Sequence, residues 1–250
     1  MSGNRLFDAL PPTDRERLLA SAEVVELARR QTNYAEGGAY AHVHFPIDAV
    51  LSVVSTMENG SSCEVGTVGR EGFSECDAVL DESRARRTSF CQIPGRAVRM
   101  SPATFAGEVA ENGAFAKLMR RNVSARLFCA EQFAACNLLH ALTARCARWL
   151  LMMRDRVASE QFPITHEFLS IMLGVRRAGV SKAAASLHAA GAITYRRGVL
   201  TIVDGGALER AACECYGRTK TAFDEALAPR AGDPAVHAAG GVVSVSRNGR

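Results

Sequence analysis

The stretch ITHEFLSIMLGVRRAGVSKAAASLHAAGAI, residues 164–193, predicts two helices joined by a tight turn. Thr165 is a favourable N-cap for the first helix, whose apolar residues follow at helical spacing. Gly174 can take the left-handed backbone conformation without steric cost, so we expect the first helix to end there. A second helix is predicted over residues 177–190, with an apolar side made of Val180, Ala183, Ala184 and Leu187. This is the sequence pattern of a helix-turn-helix.

A two-stranded hairpin, or wing, is predicted directly after the second helix. Apolar residues alternate on both sides of the turn Arg196-Arg197-Gly198. Residues 165–198 contain five basic side chains but only one acidic side chain, that of Glu167. The basic residues are Arg176, Arg177, Lys182, Arg196 and Arg197. All five lie in the turn, on the outward face of the second helix or at the wing tip. This clustering favours a nucleic-acid surface over an ordinary solvated helix pair.

The composition sets limits on the rest of the chain. With 250 residues and 48% apolar content, the chain is long enough for two modest domains. The net charge of +4 is mild, so affinity for nucleic acid must come from local clustering. The first residues carry no apolar signal region and no apolar run reaches membrane-spanning length, so we expect a cytoplasmic protein without a membrane partner.

The region before residue 100 has a β-type texture. Short apolar runs are separated by glycine-containing turns, of which Asn59-Gly60 is the strongest hairpin signal. Several short strands at this spacing predict a small antiparallel barrel or roll. The runs cover residues 40–45, 49–57, 63–68, 88–93 and 97–100, and a further strand is expected before them around residues 24–27.

A long helix is predicted over residues 114–137. Apolar residues cover more than half of its circumference, so it must be buried on two sides. One side can cover the roll. A second copy of the helix is the simplest partner for the other side, with Leu118 and Cys129 in the seam. The alternative is a central helix of one monomeric domain.

The order of elements gives a domain division. We expect a β-roll sensor domain over residues 1–112, a dimerisation helix and hinge over 113–138, and a winged helix-turn-helix domain over 139–228. A single helix over residues 207–227 follows the wing in this scheme. Residues 229–250 are rich in Gly, Ala and Pro and are predicted to be a disordered tail.

This order of parts resembles the Crp/Fnr family of bacterial transcription regulators from about residue 7 to residue 227. Besides residues 164–193, the segments VGREGF (68–73), RRTSF (86–90) and IPGRAVRMS (93–101) are similar to segments of that family. The resemblance implies an α+β fold: a cyclic-nucleotide-binding-like jelly roll, a long dimerisation helix and a C-terminal winged helix-turn-helix. It also implies a homodimer that reads a two-fold DNA operator and works with RNA polymerase.

The resemblance assigns roles to the helix-turn-helix residues. Arg177 and Lys182, with Ser181 on the same outward face, stand where family members contact base edges. Ala178 stands where many relatives carry a glutamate that reads cytosine. The remaining expected contacts, to phosphates or beside them, are Thr165, His166, Arg176, Arg196 and Arg197.

The resemblance also points to an effector site in the roll. Members that bind cyclic nucleotides carry a Gly-Glu phosphate cassette followed by an Arg-Ser/Thr segment. Here Glu71-Gly72 inverts that order, and Arg87-Thr88 stands at the second segment. Glu71, Gly72, Arg87 and Thr88 are therefore the candidate effector residues, and cyclic AMP is not the expected effector.

Metal and enzyme chemistry have little support in the sequence. The eight cysteines include no C-x-x-C pair and none before Cys63, unlike family members that hold an iron–sulfur cluster. Cys213 and Cys215 are two apart on a predicted helix and should not face each other. We expect no metal, no cofactor and no catalytic residues, since no nucleophile–base or paired-carboxylate pattern occurs.

Two functions remain open at this point. The first is a sequence-specific DNA-binding transcription regulator whose recognition helix spans residues 177–190. The second is a protein-interaction module built on a winged-helix scaffold, in which the basic face plays no part. Salt separates them, because phosphate contacts make log affinity fall linearly with log salt.

Overall fold

Alternating apolar residues in the first hundred positions form two antiparallel sheets. The computed structural model describes residues 2–230. Two short helices, α1 (Arg5–Asp8) and α2 (Pro12–Ala20), precede the sheets. The strands are β1 (Glu23–Leu27), β2 (Thr32–Tyr34), β3 (Val43–Pro46), β4 (Val50–Thr56), β5 (Ser62–Val68), β6 (Thr88–Ile93) and β7 (Gly95–Met100).

The strand order is that of a roll. One sheet runs β1-β7-β3 and the other β2-β6-β4-β5, and the pairings are antiparallel. The hairpin at Asn59-Gly60 is confirmed, because β4 pairs with β5 and Gly60 has a φ of +80°. The predicted antiparallel roll is therefore confirmed. Only β2 was missed, since its three residues carry too little alternation to stand out.

Helices dominate the second half of the chain. The elements are α3 (Pro102–Ala110), α4 (Ala114–Leu139), α5 (Leu142–Val157), β8 (Gln161–Pro163), α6 (His166–Leu173), α7 (Arg177–Ala189), β9 (Ile193–Arg196), β10 (Val199–Ile202), α8 (Gly205–Ala211) and α9 (Cys215–Leu227). The wing has an extra strand, because β8 pairs with β10 opposite β9. The predicted long helix is two residues longer than expected, and the expected tail lies outside the described residues from residue 231 onward.

The long helix α4 finds a partner within its own chain. Helix α9 packs along it, and Cys129 lies in a small core with Phe223. Leu118 is buried in the aromatic core below the roll. The expectation that Leu118 and Cys129 lie in a seam between two copies was therefore wrong: both are covered by their own chain. The large apolar side chains that α4 leaves exposed are Leu127, Leu138 and Leu139.

The single helix predicted over residues 207–227 is two helices. Helix α8 ends at Ala211, and Ala212 has extended backbone with φ −77° and ψ 156°. Helix α9 begins only at Cys215. Cys213 and Cys215 therefore lie at the connection between two helices, and both thiols turn into one buried cluster with Cys136 of α4. The rule that helical residues two apart diverge does not apply where the helix is interrupted.

The winged-helix half packs directly on the roll. Alternate residues of β4 face opposite ways: Leu51 and Val53 enter the roll interior, while Val50 joins the core around α5. Ser52, between them, contacts the sulfur of Met172 on α6. Strand β4 is therefore buried on both faces along most of its length, as strands covered on both sides are.

Two polar contacts and one close approach at a glycine fix the docking of α5 on the roll. Arg156 Nε lies 2.9 Å from Glu71 Oε1, and both side chains are buried. A Cβ on Gly69 would lie 2.5 Å from the Arg156 Cβ, so only glycine permits this approach. Trp149 Nε1 donates to Glu64 Oε1 at 3.0 Å. Burial raises the pKa of the Glu64 carboxyl, although Trp149, Ser52 and Thr67 donate to it and counteract the shift.

Candidate DNA-binding surface

The helix-turn-helix forms as the sequence predicts. Thr165 caps α6, since its Oγ1 accepts the Phe168 N–H at 3.1 Å, and Gly174 ends the helix with a φ of +62°. The buried side of α7 is Val180, Ala183, Ala184 and Leu187, as expected. This packing decides which face of α7 is left for a partner.

The outward face of α7 is basic and exposed. Arg177, Ala178, Ser181 and Lys182 are all exposed, and Arg176 stands at the N-cap position. Within residues 2–230 no acidic side chain forms an ion pair with Arg176, Arg177, Lys182, Arg196 or Arg197. The five charges are therefore available to an anionic partner.

His166 connects the two helices and the wing. Its Nδ1 lies 3.1 Å from Ser181 Oγ, and its ring centroid lies 4.9 Å from that of Tyr195 on β9. Tyr195 in turn donates its hydroxyl to the Ile164 carbonyl at 2.8 Å. These contacts hold α6, α7 and β9 in a fixed arrangement before any partner binds.

The wing tip is a tight two-residue turn. Arg196 pairs with Val199, and Arg197 and Gly198 between them have φ values of +50° and +81°. Positive φ at both central residues is the signature of the turn that matches strand twist. The turn projects Arg196 and Arg197 into solvent beside the recognition helix.

Comparison with known proteins identifies this unit. Residues 144–211 match the model of the Crp-like helix-turn-helix domain. The chain carries a Crp-like helix-turn-helix domain. Comparison with curated proteins gives no match.

Solved structures extend the likeness in fold to about three quarters of the chain. A CRP-family transcriptional regulator from Thermus thermophilus is 22% identical with a TM-score of 0.62, over 75% of this chain and 96% of that one. FixK2 from Bradyrhizobium japonicum is 14% identical with a TM-score of 0.64, over 77% and 98%. The c-di-GMP-responsive regulator CLP from Xanthomonas campestris is 15% identical with a TM-score of 0.58, over 76% and 97%. The chain therefore has the fold of Crp/Fnr transcription regulators.

Two arginines of the roll adjoin the Crp-like domain. Arg29 and Arg30, in the connection between β1 and β2, line a shallow depression with Thr165 and Phe168. Glu167 and Ile171 line the same depression, so two arginines of the roll and one acid adjoin the start of α6. Sequence analysis missed this because the two arginines are about 135 positions away from Thr165 and carry no motif.

No helix within residues 2–230 is both long and apolar enough to cross a bilayer.

The four candidate effector residues do not form one site. The only carboxylate among them, that of Glu71, is already paired with Arg156. Gly72 packs near Asn122 of α4. Arg87 is exposed before β6, and Thr88 pairs with Val54. Val68 pairs with Leu51, three residues from Val54 on β4, so the end of β5 and the start of β6 are about 10 Å apart along the strand direction. Glu71 and Gly72 lie beyond that end of β5.

Side chains with metal-ligand chemistry meet at the far end of α4. One ligand atom from each of Cys136, His140, Cys213 and Cys215 lies within 4.8 Å of the others. Burial raises the pKa of the Cys136 thiol to about 12 and also raises that of Cys213. Cys136, Cys213 and Cys215, for which the sequence predicted no association, therefore lie together. Elsewhere, the Nδ1 atom of the buried His44 lies 3.2 Å from Glu75 Oε1.

Proposed function

We propose that the protein is a sequence-specific DNA-binding transcription regulator. The observation that carries this proposal is a set of five exposed basic side chains that form no ion pair within residues 2–230. They lie at the N-cap of α7, on α7 and at the wing tip of a Crp-like domain. In this arrangement Arg177 and Lys182 read base edges in the major groove, while Arg196 and Arg197 contact phosphates. Arginine pairs bidentately with guanine, and each such contact contributes about 1–3 kcal/mol of discrimination.

The proposal includes a homodimer joined along α4. The face that α9 leaves open carries Leu127 and Leu138, which are 61% and 86% exposed, with Ala130 and Ala134 between them. These spacings of three and four residues form an apolar stripe suited to a second copy of the helix. A two-fold dimer would place two recognition helices about 34 Å apart, in successive major grooves.

The roll is proposed as a scaffold or sensor without an assigned ligand. Glu71 already has a cationic partner in Arg156, so its carboxylate is not open to a ribose hydroxyl. Support for an effector at Arg87 and Thr88 rests on the resemblance alone. The relative named as c-di-GMP-responsive shares only the fold at 15% identity.

Selection from random duplex DNA tests base reading. We expect wild type to select a two-fold motif and Arg177→Ala to lose preference at one position of each half-site. Arg196→Ala should instead weaken all sequences alike and make the salt slope shallower by about one. Lys117→Ala, which removes an exposed base from α4, is the matched control and should change neither property. An identical motif for wild type and Arg177→Ala would contradict base reading by this residue.

The same experiments distinguish the transcription regulator from the second candidate function, a protein-interaction module. An interaction module would bind DNA weakly, without sequence preference and with no dependence on Arg177. Recovery of no motif from wild-type protein would favour that alternative.

A further inference from the structure

A cluster of three thiols and one imidazole closes the junction between α4 and α9. Cys136 lies in the last turn of α4, and His140 is its C-cap residue, one helical turn further on. Cys213 and Cys215 come from the break between α8 and α9. Cys136 Sγ lies 3.5 Å from Cys213 Sγ, and Cys215 Sγ lies 3.6 Å from His140 Nδ1.

Both distances fit edges of a tetrahedron around one ion, and the other four distances between the ligand atoms are at most 4.8 Å. Zinc binds thiolate sulfur at about 2.3 Å and imidazole nitrogen at about 2.0–2.1 Å, which puts neighbouring ligand atoms about 3.5–3.8 Å apart. Three cysteines and one histidine fill four coordination positions and leave none for water or substrate. This is the ligand set of a structural zinc site. An iron–sulfur cluster, which is larger than one ion, would hold its thiolates farther apart.

Groups around the cluster are placed as supporting partners. His140 Nε2 lies 3.2 Å from a carboxylate oxygen of Glu214, which would fix Nδ1 as the ligand atom. Gln132 Nε2 donates to Cys215 Sγ at 3.1 Å. Hydrogen bonds of this kind orient the ligands of metal sites.

Two arginines beside the cluster supply an independent observation: Arg148 is buried, Arg145 is half-buried, and both interact electrostatically with Cys136. Arg148 is 4% exposed and has no carboxylate partner within residues 2–230; its guanidinium lies over the Phe133 ring. The Nε atoms of Arg148 and Arg145 are buried without a hydrogen-bond partner among the described atoms. A divalent ion with three thiolates has a net charge of −1, and it would provide the counter-charge that Arg148 lacks among the described residues.

We propose that Cys136, His140, Cys213 and Cys215 bind one Zn²⁺ ion in a closed tetrahedral site. Binding releases one proton from each of the three thiols, while His140 binds as a neutral imidazole. The ion ties the end of α4 to the start of α9, and so holds the C-terminal helix on the long helix. The role is structural and does not depend on what the winged helix binds.

Metal content of the full chain is the first measurement. The protein is prepared without an affinity tag, under reducing conditions and without chelators, and zinc is counted by plasma mass spectrometry. We expect about one zinc per chain in wild type. Cys136→Ala and Cys213→Ala should lose it. Cys146→Ala, the same change at a buried cysteine of a different core, is the matched control and should retain it.

Cobalt provides a second readout that needs no variant to fold. Wild-type protein stripped of metal and titrated with Co²⁺ should develop thiolate-to-cobalt charge-transfer bands and the visible bands of tetrahedral Co²⁺. Zinc should then displace the cobalt and raise the thermal midpoint, because an ion that binds only the folded state stabilises it.

Three outcomes would overturn the proposal. One is wild type without stoichiometric zinc and without a thiolate-to-cobalt band. Another is zinc content that is equal in wild type, Cys136→Ala and Cys213→Ala. The third is a Cys136–Cys213 disulfide, detected by mass, in freshly reduced and repurified protein.

Discussion

Glu71 and Arg156 form an ion pair that joins the roll to α5, and its burial determines its contribution. Both side chains are less than a tenth exposed, and Gly69 N–H also donates to Glu71 Oε1 at 3.3 Å. Each buried charge is tolerable only because the other is present. The residue that the family resemblance suggested for an effector is, in the structure, part of the contact between the two halves of the chain.

Removing the carboxylate should therefore destabilise the protein strongly. We expect Glu71→Gln to lower the free energy of unfolding by about 3–5 kcal/mol, because Arg156 stays buried without a counter-charge. Urea unfolding followed by circular dichroism measures this. Glu23→Gln is the matched control: it removes an exposed partner of Arg99, and the change should be about 0–1 kcal/mol. Equal losses for the two variants would contradict the assignment.

Helix α4 has three faces, and each is covered differently. One face packs on the aromatic core through Leu118, a second packs on α9 through Cys129, and a third exposes Leu127 and Leu138. The helical wheel shows that the apolar arc is wide. It does not show that α9, about 90 positions later, covers part of it.

The third face of α4, with Leu127 and Leu138, should form the interface of the proposed dimer. Leu127→Glu places a charge in the apolar stripe and should give folded monomers, measured by light scattering together with circular dichroism. Lys117→Glu introduces the same acid outside the stripe and should leave the dimer intact. A Leu127→Glu protein that remains dimeric at micromolar concentration would rule out this face.

The docking of α5 on the roll should depend on the absence of a side chain at position 69. Gly69→Ala forces the new Cβ against Arg156, and overpacking of this kind costs about 1–3 kcal/mol. The single tryptophan, Trp149, donates to Glu64 across the same contact, so its emission should report the change. Gly107→Ala, in helix α3 with open space around it, should instead stabilise by about 0.5–1 kcal/mol. Destabilisation of the same size in both variants would refute the close-approach argument.

For the whole molecule, buried thiols predict sensitivity to alkaline pH. Burial raises the pKa of Cys91 and Cys129 to about 11 and that of Cys146 to about 12. In the unfolded chain a thiol has a pKa of about 8.5. Above that pH the folded state therefore holds more protons than the unfolded state, and the free energy of unfolding falls as pH rises.

We expect the urea midpoint to be insensitive to these thiols below about pH 8 and to fall between about pH 9 and 11. Cys146→Ala should make the fall shallower, because the Cys146 shift has burial as its only cause. Cys63→Ala, at a partly exposed thiol, is the control and should leave the slope unchanged. A midpoint that does not change up to pH 11 would show that these thiols ionise equally in both states.

The sequence by itself determined the local structure and the basic surface of the winged helix. Thr165, Gly174 and the apolar spacing of α7 act within one or two helical turns, so their effect can be read along the chain. The same holds for the Asn59-Gly60 hairpin and for the Arg197-Gly198 wing tip. Because Val180 and Leu187 must be buried, the opposite face with Arg177 and Lys182 must be exposed.

Only the tertiary structure decided which distant residues meet. Helix α9 covers α4, Glu71 pairs with Arg156, and Cys136 meets Cys213 across 77 positions, none of which follows from local spacing. The four-residue cluster had a weak signal in Cys136-x-x-x-His140 and Cys213-x-Cys215. That signal gains meaning only when the chain breaks at Ala212, and the break depends on how α8 and α9 pack on the rest of the molecule. Long-range packing, and not propensity, determined these contacts.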